Sequence, residues 1–246
     1  MNQTTKHKMA QLSPRIHSSS KRSITYKRAF DIIVSLLVSF FILSWLIPIL
    51  AVLIKLNSRG PVFFIQKRMG TGSETFDCLK LRTMVINEKA NSCQAQENDP
   101  RITSVGKFLR LTCLDELPQF FNVLKGEMSI VGPRPHMIKD CNDFIGVIPN
   151  YGLRHSVKPG ITGMAQVKGY RGRTTSFYDI FHRYQWDIFY VRNASFALDM
   201  RIIYKTLLQI ISSFTKIARS PLNFKKKRSA ENQKPVDAYR DDLVEA

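Results

Sequence analysis

Asp115 and Glu116 are adjacent acids that follow a run of basic residues, Arg101, Lys107 and Arg110. On a helix, neighbouring side chains point about 100° apart, so the two carboxylates would not face each other. Acids in the first turn of a helix also complement its dipole, which makes the pair by itself a weak signal. Its company strengthens it. Carboxylates can hold a magnesium ion while arginines hold phosphates, and an acidic pair in a basic chain has the parts that phosphoryl transfer needs. Pro133-Arg134-Pro135 fixes the backbone on both sides of one guanidinium and so aims it, or makes a rigid turn with a solvated arginine. Lys80 and Arg82, two apart, project from one face of a strand and could grip a diphosphate together. Lys158-Pro159-Gly160-Ile161-Thr162-Gly163 has glycines that permit close backbone approach to a ligand, or simply make a turn. His136, His155 and His182 have no triad-like neighbours in sequence and receive no catalytic role.

The chain that must position these residues has 246 of them, with 37 Lys and Arg against 19 Asp and Glu, a formal charge of +18. Anions are therefore the expected partners: phosphates, nucleic acid or an anionic lipid surface. Cys78, Cys93, Cys113 and Cys141 fall at irregular intervals with no C-x-x-C pair, which suggests neither zinc nor a disulfide framework. A reduced, cytoplasm-facing domain fits them.

Residues 1–23 carry basic side chains and no acid, the composition of a disordered tail. Ile32 to Ile54 contains 23 residues without a formal charge, a helix of about 35 Å that can enter or cross a bilayer. Its distance from the N-terminus and its ending in Lys55 argue against a secretory signal. Pro48 removes the hydrogen bond that the Ser44 carbonyl would accept. Lys27 and Arg28 precede the run, and Lys55, Arg59, Lys67 and Arg68 follow it. The positive-inside rule then wants both ends in the cytoplasm, as a re-entrant helix broken between Ser44 and Pro48 would give. A kinked single span is the alternative that pattern alone leaves open.

Beyond it, residue types predict a strand over 62–65, a partner within 75–84, a polar loop over 87–101, helices over 104–112 and 115–125, and a short strand over 129–131. Phe177, Phe181, Tyr184, Ile188 and Val191 mark the core face of one later helix. A second, over 196–214, suits packing on the domain or lying in the headgroup layer. The expected organisation is a tail over 1–23, a membrane-inserted helix over 24–56, a catalytic domain over 57–214 and a polar tail over 215–246 that contains Lys225 to Arg228. The expected fold class is α+β: a re-entrant membrane helix, then a mainly helical cytoplasmic domain with a short β-hairpin and amphipathic interfacial helices.

Taken in order, several strings resemble motifs of the bacterial sugar transferases, which move a hexose 1-phosphate from a UDP-sugar onto polyprenyl phosphate. They include Lys27-Arg28-Ala29-Phe30-Asp31, Gly60-Pro61-Val62-Phe63-Phe64-Ile65-Gln66, Lys80-Leu81-Arg82-Thr83-Met84, Asn98-Asp99-Pro100-Arg101, Leu114-Asp115-Glu116-Leu117-Pro118-Gln119, Ser129-Ile130-Val131-Gly132-Pro133-Arg134-Pro135, Leu153-Arg154-His155 and the Lys158–Gly163 stretch. The resemblance covers roughly residues 24–210. It implies a catalytic dyad with Asp115 as nucleophile and Glu116 binding or orienting magnesium, so that both acids serve as metal ligands. It also implies Lys80, Arg82, Arg110, Arg134 and Arg154 on the substrate phosphates, and it favours the re-entrant helix.

Implied partners are a UDP-hexose, polyprenyl (undecaprenyl) phosphate, the bilayer and downstream glycosyltransferases, with no nucleic acid. The implied place is the inner membrane with the domain facing the cytoplasm, and the implied route is an aspartyl phospho-sugar intermediate with UMP released, at the start of exopolysaccharide, capsule or O-antigen synthesis. Three positions depart from the family: Ser44-Trp45 stands for the usual Ser-Pro, with Pro48 one turn later; Cys113 replaces a serine; Met164 replaces a tryptophan. The extra amino-terminal membrane helices of larger members are lacking, which suggests the minimal form. The rival class is a catalytically inactive, membrane-tethered basic adaptor, against which the intact Asp115-Glu116 pair argues.

Overall fold

The computed structural model describes residues 21–86, 99–171 and 177–219. The tails expected over 1–23 and 215–246, and the polar loop over 87–101, lie largely outside the described residues. The chain divides into two units, 1–210 and 211–246, the second described only by the last turns of one helix.

The apolar run forms α1 (Lys21–Val38), a π-helical turn (Ser39–Leu43) and α2 (Ser44–Asn57). By length and composition, Thr25–Asn57 is long and apolar enough to cross a membrane. Its outward side chains, among them Phe40, Phe41, Trp45 and Leu56, are exposed. The irregular turn lies just before Ser44, and Pro48 sits inside α2. There the Ser44 hydroxyl donates to the Phe40 carbonyl at 2.5 Å, and Trp45 Nε1 donates to the Phe41 carbonyl at 2.7 Å. Carbonyls at a widened turn thus find donors within the helix itself, as a lipid surrounding demands.

Both ends of this helix are tied to one domain. Lys27 donates to the Val131 carbonyl at 3.1 Å and to Asp199 at 2.7 Å, Arg28 donates to the carbonyls of Val123 and Leu124, and Asp31 accepts from the Ile130 N–H. At the far end, Leu50 and Ile54 pack with Leu81 and Leu109. A straight helix would hold Arg28 and Ile54 about 39 Å apart. Yet Asn122, next to Val123, accepts from the N–H of Leu79, two residues from Leu81. That short relay of contacts requires the helix to bend, and the π-helical turn is where its ladder is interrupted.

The expected hairpin is present: β1 (Phe63–Met69) pairs antiparallel with β2 (Thr75–Leu81), Phe64 opposite Lys80 and Gln66 opposite Cys78. Then come α3 (Ser104–Thr112), a 3₁₀ turn (Leu114–Glu116), α4 (Gln119–Lys125) and β3 (Ser129–Val131). After α5 (Ile138–Val147), β4 (Gly160–Thr162) pairs parallel with β3, followed by α6 (Met164–Val167), α7 (Phe177–Asn193) and α8 (Phe196–Arg219). Phe76, Val123, Met128, Ile130, Tyr190 and Ile202 join β2, α4, β3, α7 and α8 in one core cluster.

Residue pattern did not reveal α5, α6 or β4, and β4 escaped because two of the residues around its pairing are glycines with no strand preference. They are there for space. A Cβ on Gly160 would lie 2.1 Å from the Gly132 backbone nitrogen. We expect Gly160→Ala to destabilise the domain by about 1–3 kcal/mol, lowering Tm by several degrees in detergent; an unchanged Tm would contradict this packing.

Candidate active site

Thr103 starts α3 by accepting from the Gly106 N–H at 2.9 Å, and Cys113 ends it with φ 60°, in the left-handed region that reverses a chain. Pro118 has no N–H to give and a φ suited to a helix start, so α4 begins only at Gln119. The helix expected over 115–125 is therefore split. Asp115 and Glu116 stand on a separate 3₁₀ turn instead of the first turn of an α-helix.

The two acids differ sharply. Glu116 is buried, and its carboxylate accepts from Lys80 Nζ at 2.9 Å, from Arg134 Nη1 at 3.0 Å and from Arg134 Nη2. Against the desolvation of a buried carboxyl, the charges of Arg134 and Lys80 hold Glu116 well below the usual range. Asp115 is half-buried and makes no hydrogen bond or ion pair among the described residues. Burial, with the Glu116 charge beside it, pushes Asp115 up to about 6, against the pull of Lys80, Arg110 and Arg134. It is mostly ionised at pH 7 and unengaged.

Both face a cavity of about 750 Å³ lined, among the described residues, by eight Lys and Arg side chains and three acids. Of the residues expected on phosphate, Lys80, Arg110 and Arg134 meet there with Asp115 and Glu116. Arg82 also lines it, but its guanidinium donates to the carbonyls of Pro61, Arg59 and Ser58 at 2.6–2.8 Å, fastening the foot of α2 to β2. Arg154 is not on the cavity wall. It is 2% exposed, pairs with Asp187 at 2.7 Å and donates to the Arg134 carbonyl at 2.6 Å, so it holds the Arg134 loop from behind.

Four further arginines line the cavity that were not among the residues expected on phosphate: Arg68, Arg101, Arg171 and Arg183. Arg101 carried a signal, since Asp99 lies two residues before it and clamps it at 2.9 and 2.6 Å. Arg68 shares a strand face with Gln66, which accepts from it at 2.5 Å, and it also donates to the Pro135 carbonyl. Arg171 and Arg183 come from late segments that only the fold brings close.

Magnesium takes one or two carboxylates and completes its shell with water and substrate phosphates. Asp115 has oxygens to offer, whereas those of Glu116 already accept from cations. Among the described residues no group of three or more His, Cys, Asp or Glu is arranged around an ion. The site thus fits magnesium through Asp115 together with phosphate oxygens brought by a substrate.

An unengaged carboxylate inside a cation-lined cavity, at the foot of a long apolar helix, is an arrangement chemically suited to phosphate. The family model described as bacterial sugar transferase matches residues 22–213, and the chain belongs to that family. It is 45% identical over 188 residues to the UDP-glucose:undecaprenyl-phosphate glucose-1-phosphate transferase of Klebsiella pneumoniae, covering 76% of this chain and 40% of that relative. It is 43% identical over 189 residues to the UDP-N-acetylgalactosamine-undecaprenyl-phosphate N-acetylgalactosaminephosphotransferase of Aeromonas hydrophila, 76% of this chain and 44% of the relative. The exopolysaccharide production protein PSS of Rhizobium leguminosarum bv. phaseoli is 42% identical over 190 residues, 75% of this chain and 94% of the relative. The chain thus spans about two fifths of the first two relatives and most of the third.

Since the Glu116 charge raises Asp115, Glu116→Gln should drop the Asp115 carboxyl from about 6 toward its ordinary value near 3.9. Infrared titration of the carboxylate band, subtracted from that of Asp115→Asn, reads this directly. An Asp115 transition that stays put or rises in Glu116→Gln would contradict the coupling.

Proposed function

We propose that the protein transfers a hexose 1-phosphate from a UDP-sugar to polyprenyl phosphate, releasing UMP, as the first step of lipid-linked glycan synthesis. The observation that carries this reading is the division of labour between the two acids: Glu116 is spent on Lys80 and Arg134, and Asp115 is left ionised and facing the cavity. An Asp115 oxygen attacks the sugar-bearing phosphorus, and the bond to the bridging oxygen breaks, that oxygen leaving on UMP with its electron pair. A phosphate oxygen of the lipid then attacks the same phosphorus and returns Asp115 as a free carboxylate. Neither attacking group needs a base, since Asp115 and the lipid phosphate, with second pKa of about 6, are both largely ionised at pH 7.

Arg134, fixed by Glu116 in front and by Arg154 behind, offers its charge where negative charge builds up in transfer. Arg110 and Lys80 flank the same spot, while Arg82 and Arg154 support the walls. Magnesium, held by Asp115 and the substrate diphosphate, would supply charge neutralisation to the leaving phosphate. In the membrane we infer a re-entrant α1–α2 with both ends on the cytoplasmic face, supported by the attachment of both ends to one domain and by basic residues on either side. The names of the relatives support the undecaprenyl acceptor and a role in exopolysaccharide synthesis.

The test is UMP release in nanodiscs from a panel of UDP-hexoses, with polyprenyl phosphate and magnesium present or omitted. Multiple turnover should require both. Arg134→Ala should lower kcat/KM by about 10²–10³ with Tm nearly unchanged; near-normal turnover would remove Arg134 from the chemistry. Topology is a separate check, with single cysteines at Tyr26 and Leu56 in a chain whose native cysteines are replaced. An impermeant maleimide should label both from the cytoplasmic side only, and labelling from opposite sides would mean a span.

A further inference from the structure

Phosphorus chemistry orders the two ends of the cavity. In an in-line displacement the attacking and leaving oxygens lie on opposite sides of the phosphorus. Asp115 attacks in the first step and leaves in the second, so UMP must depart from, and the lipid phosphate must approach from, the same face. One phosphate subsite therefore serves both in turn. The sugar, bonded to another oxygen of that phosphorus, lies off this axis.

The hairpin gives the cavity a direction. Phe64, Gln66 and Arg68 share one face of β1, and Arg68 lies about 13 Å along the strand from Phe64. Near Phe64 the wall includes Pro61, Met84 and Ile86 beside Lys80 and Arg82, and it adjoins the foot of α2, the apolar helix. Arg110 and Arg101 belong to that end: Arg110 Nε donates to Thr83 Oγ1 at 2.8 Å, and the Arg101 carbonyl accepts from the Val85 N–H at 2.9 Å. At the opposite end, the Met69 N–H donates to the His136 carbonyl at 3.1 Å, and His136 and Asp140 join Arg68 on the wall. Glu116 joins the two ends, binding Lys80, opposite Phe64 at the near end, and Arg134, whose neighbour Pro135 accepts from Arg68 at the far end, and Asp115 stands next to it.

Resting on the transfer reading above, we propose that the far end of the cavity, bounded by His136 and Asp140, receives the hexose ring. Arg101 and Arg110 at the near end bind first the phosphate of departing UMP and then that of the lipid. The chemistry of each end matches its ligand. Arg101, held by the Asp99 carboxylate, and Arg110, held by the Thr83 hydroxyl, bring fixed guanidinium charge that suits phosphate. His136 is buried, its Nδ1 lies 2.5 Å from the Tyr151 hydroxyl, and its Nε2 has no hydrogen-bond partner among the described residues. Burial, with the nearby charges of Arg154, Arg183 and Arg68, holds this imidazole neutral. A sugar hydroxyl both donates and accepts, so it would satisfy the buried Nε2 in either tautomer once a small turn of the ring exposes it, and it donates to a carboxylate such as Asp140. Which UDP-hexose is used is therefore decided at His136 and Asp140.

The experiment compares Asp140→Asn and His136→Leu with Arg101→Gln in nanodiscs, each checked for an unchanged Tm. The sugar-end variants should raise KM for the preferred UDP-hexose about tenfold. They should leave Ki for UMP and KM for polyprenyl phosphate at wild-type values. Arg101→Gln should raise the last two together. UDP-sugars lacking single ring hydroxyls should include one on which Asp140→Asn imposes no penalty. A UMP Ki that climbs in step with the UDP-hexose KM, or a KM unmoved in Asp140→Asn, overturns the proposal. Should His136→Leu fail to fold, Asp140→Asn alone decides. Calorimetry separates this claim from the transfer reading. If no UMP is ever released yet Asp140→Asn weakens UDP-hexose and spares UMP, the subsite stands and the reaction falls; equal weakening of both ligands removes the subsite.

Discussion

The site depends on one buried carboxylate. Glu116 binds Lys80 from β2 and Arg134 from the loop after β3, and its own turn hangs between α3 and α4. Segments distant in sequence are thus drawn to one point by a charge that cannot be left alone: stripping a partner from a buried ion pair costs on the order of 3–5 kcal/mol. The same charge sets the neighbour. By absorbing two cations, Glu116 leaves beside it a carboxylate not locked into a salt bridge, which burial and then the Glu116 charge raise to about 6.

Around that point the struts run outward to the long apolar helix. Arg154 and Asp187 form a buried pair that grips the Arg134 carbonyl, and Arg68 grips Pro135, so the loop is held on both sides of its arginine. The strand that launches the loop ends at Val131, whose carbonyl accepts from Lys27 near the start of α1 and from Tyr190 of α7. Arg82 fastens the other end of the apolar helix to the strand that carries Lys80. The apolar helix and the cavity share the same supports, which fixes the position of one relative to the other.

Much of this could be read from residue order. The apolar run, the hairpin, the helix over 104–112 and the amphipathic faces follow from local periodicity, and Asp115, Glu116, Lys80 and Arg134 were found from residue type and family motifs. What escaped was partly local, α5 and the break that Pro118 puts before α4, and partly long-range. Arg154 looks from sequence like any basic residue beside a histidine, and only the approach of Asp187, far along the chain, turns it into a buried strut. Arg183 lies on a helix whose visible signal was its apolar stripe, and β4 is made by pairing two short segments around glycines. The separation of the dyad into an engaged acid and an unengaged one is likewise invisible in Asp-Glu as letters, because it arises from which side of a turn faces two cations.

The central claim is that Asp115 itself carries the phospho-sugar, and intact-mass spectrometry of the protein mixed with its UDP-hexose in the absence of any lipid acceptor tests it most directly. The account predicts one equivalent of UMP per protein, a mass increase equal to one hexose phosphate located on Asp115, and loss of that adduct when polyprenyl phosphate is added. A protein that releases UMP only when lipid phosphate is present and never gains mass would contradict it, and would mean direct attack of the lipid on the donor.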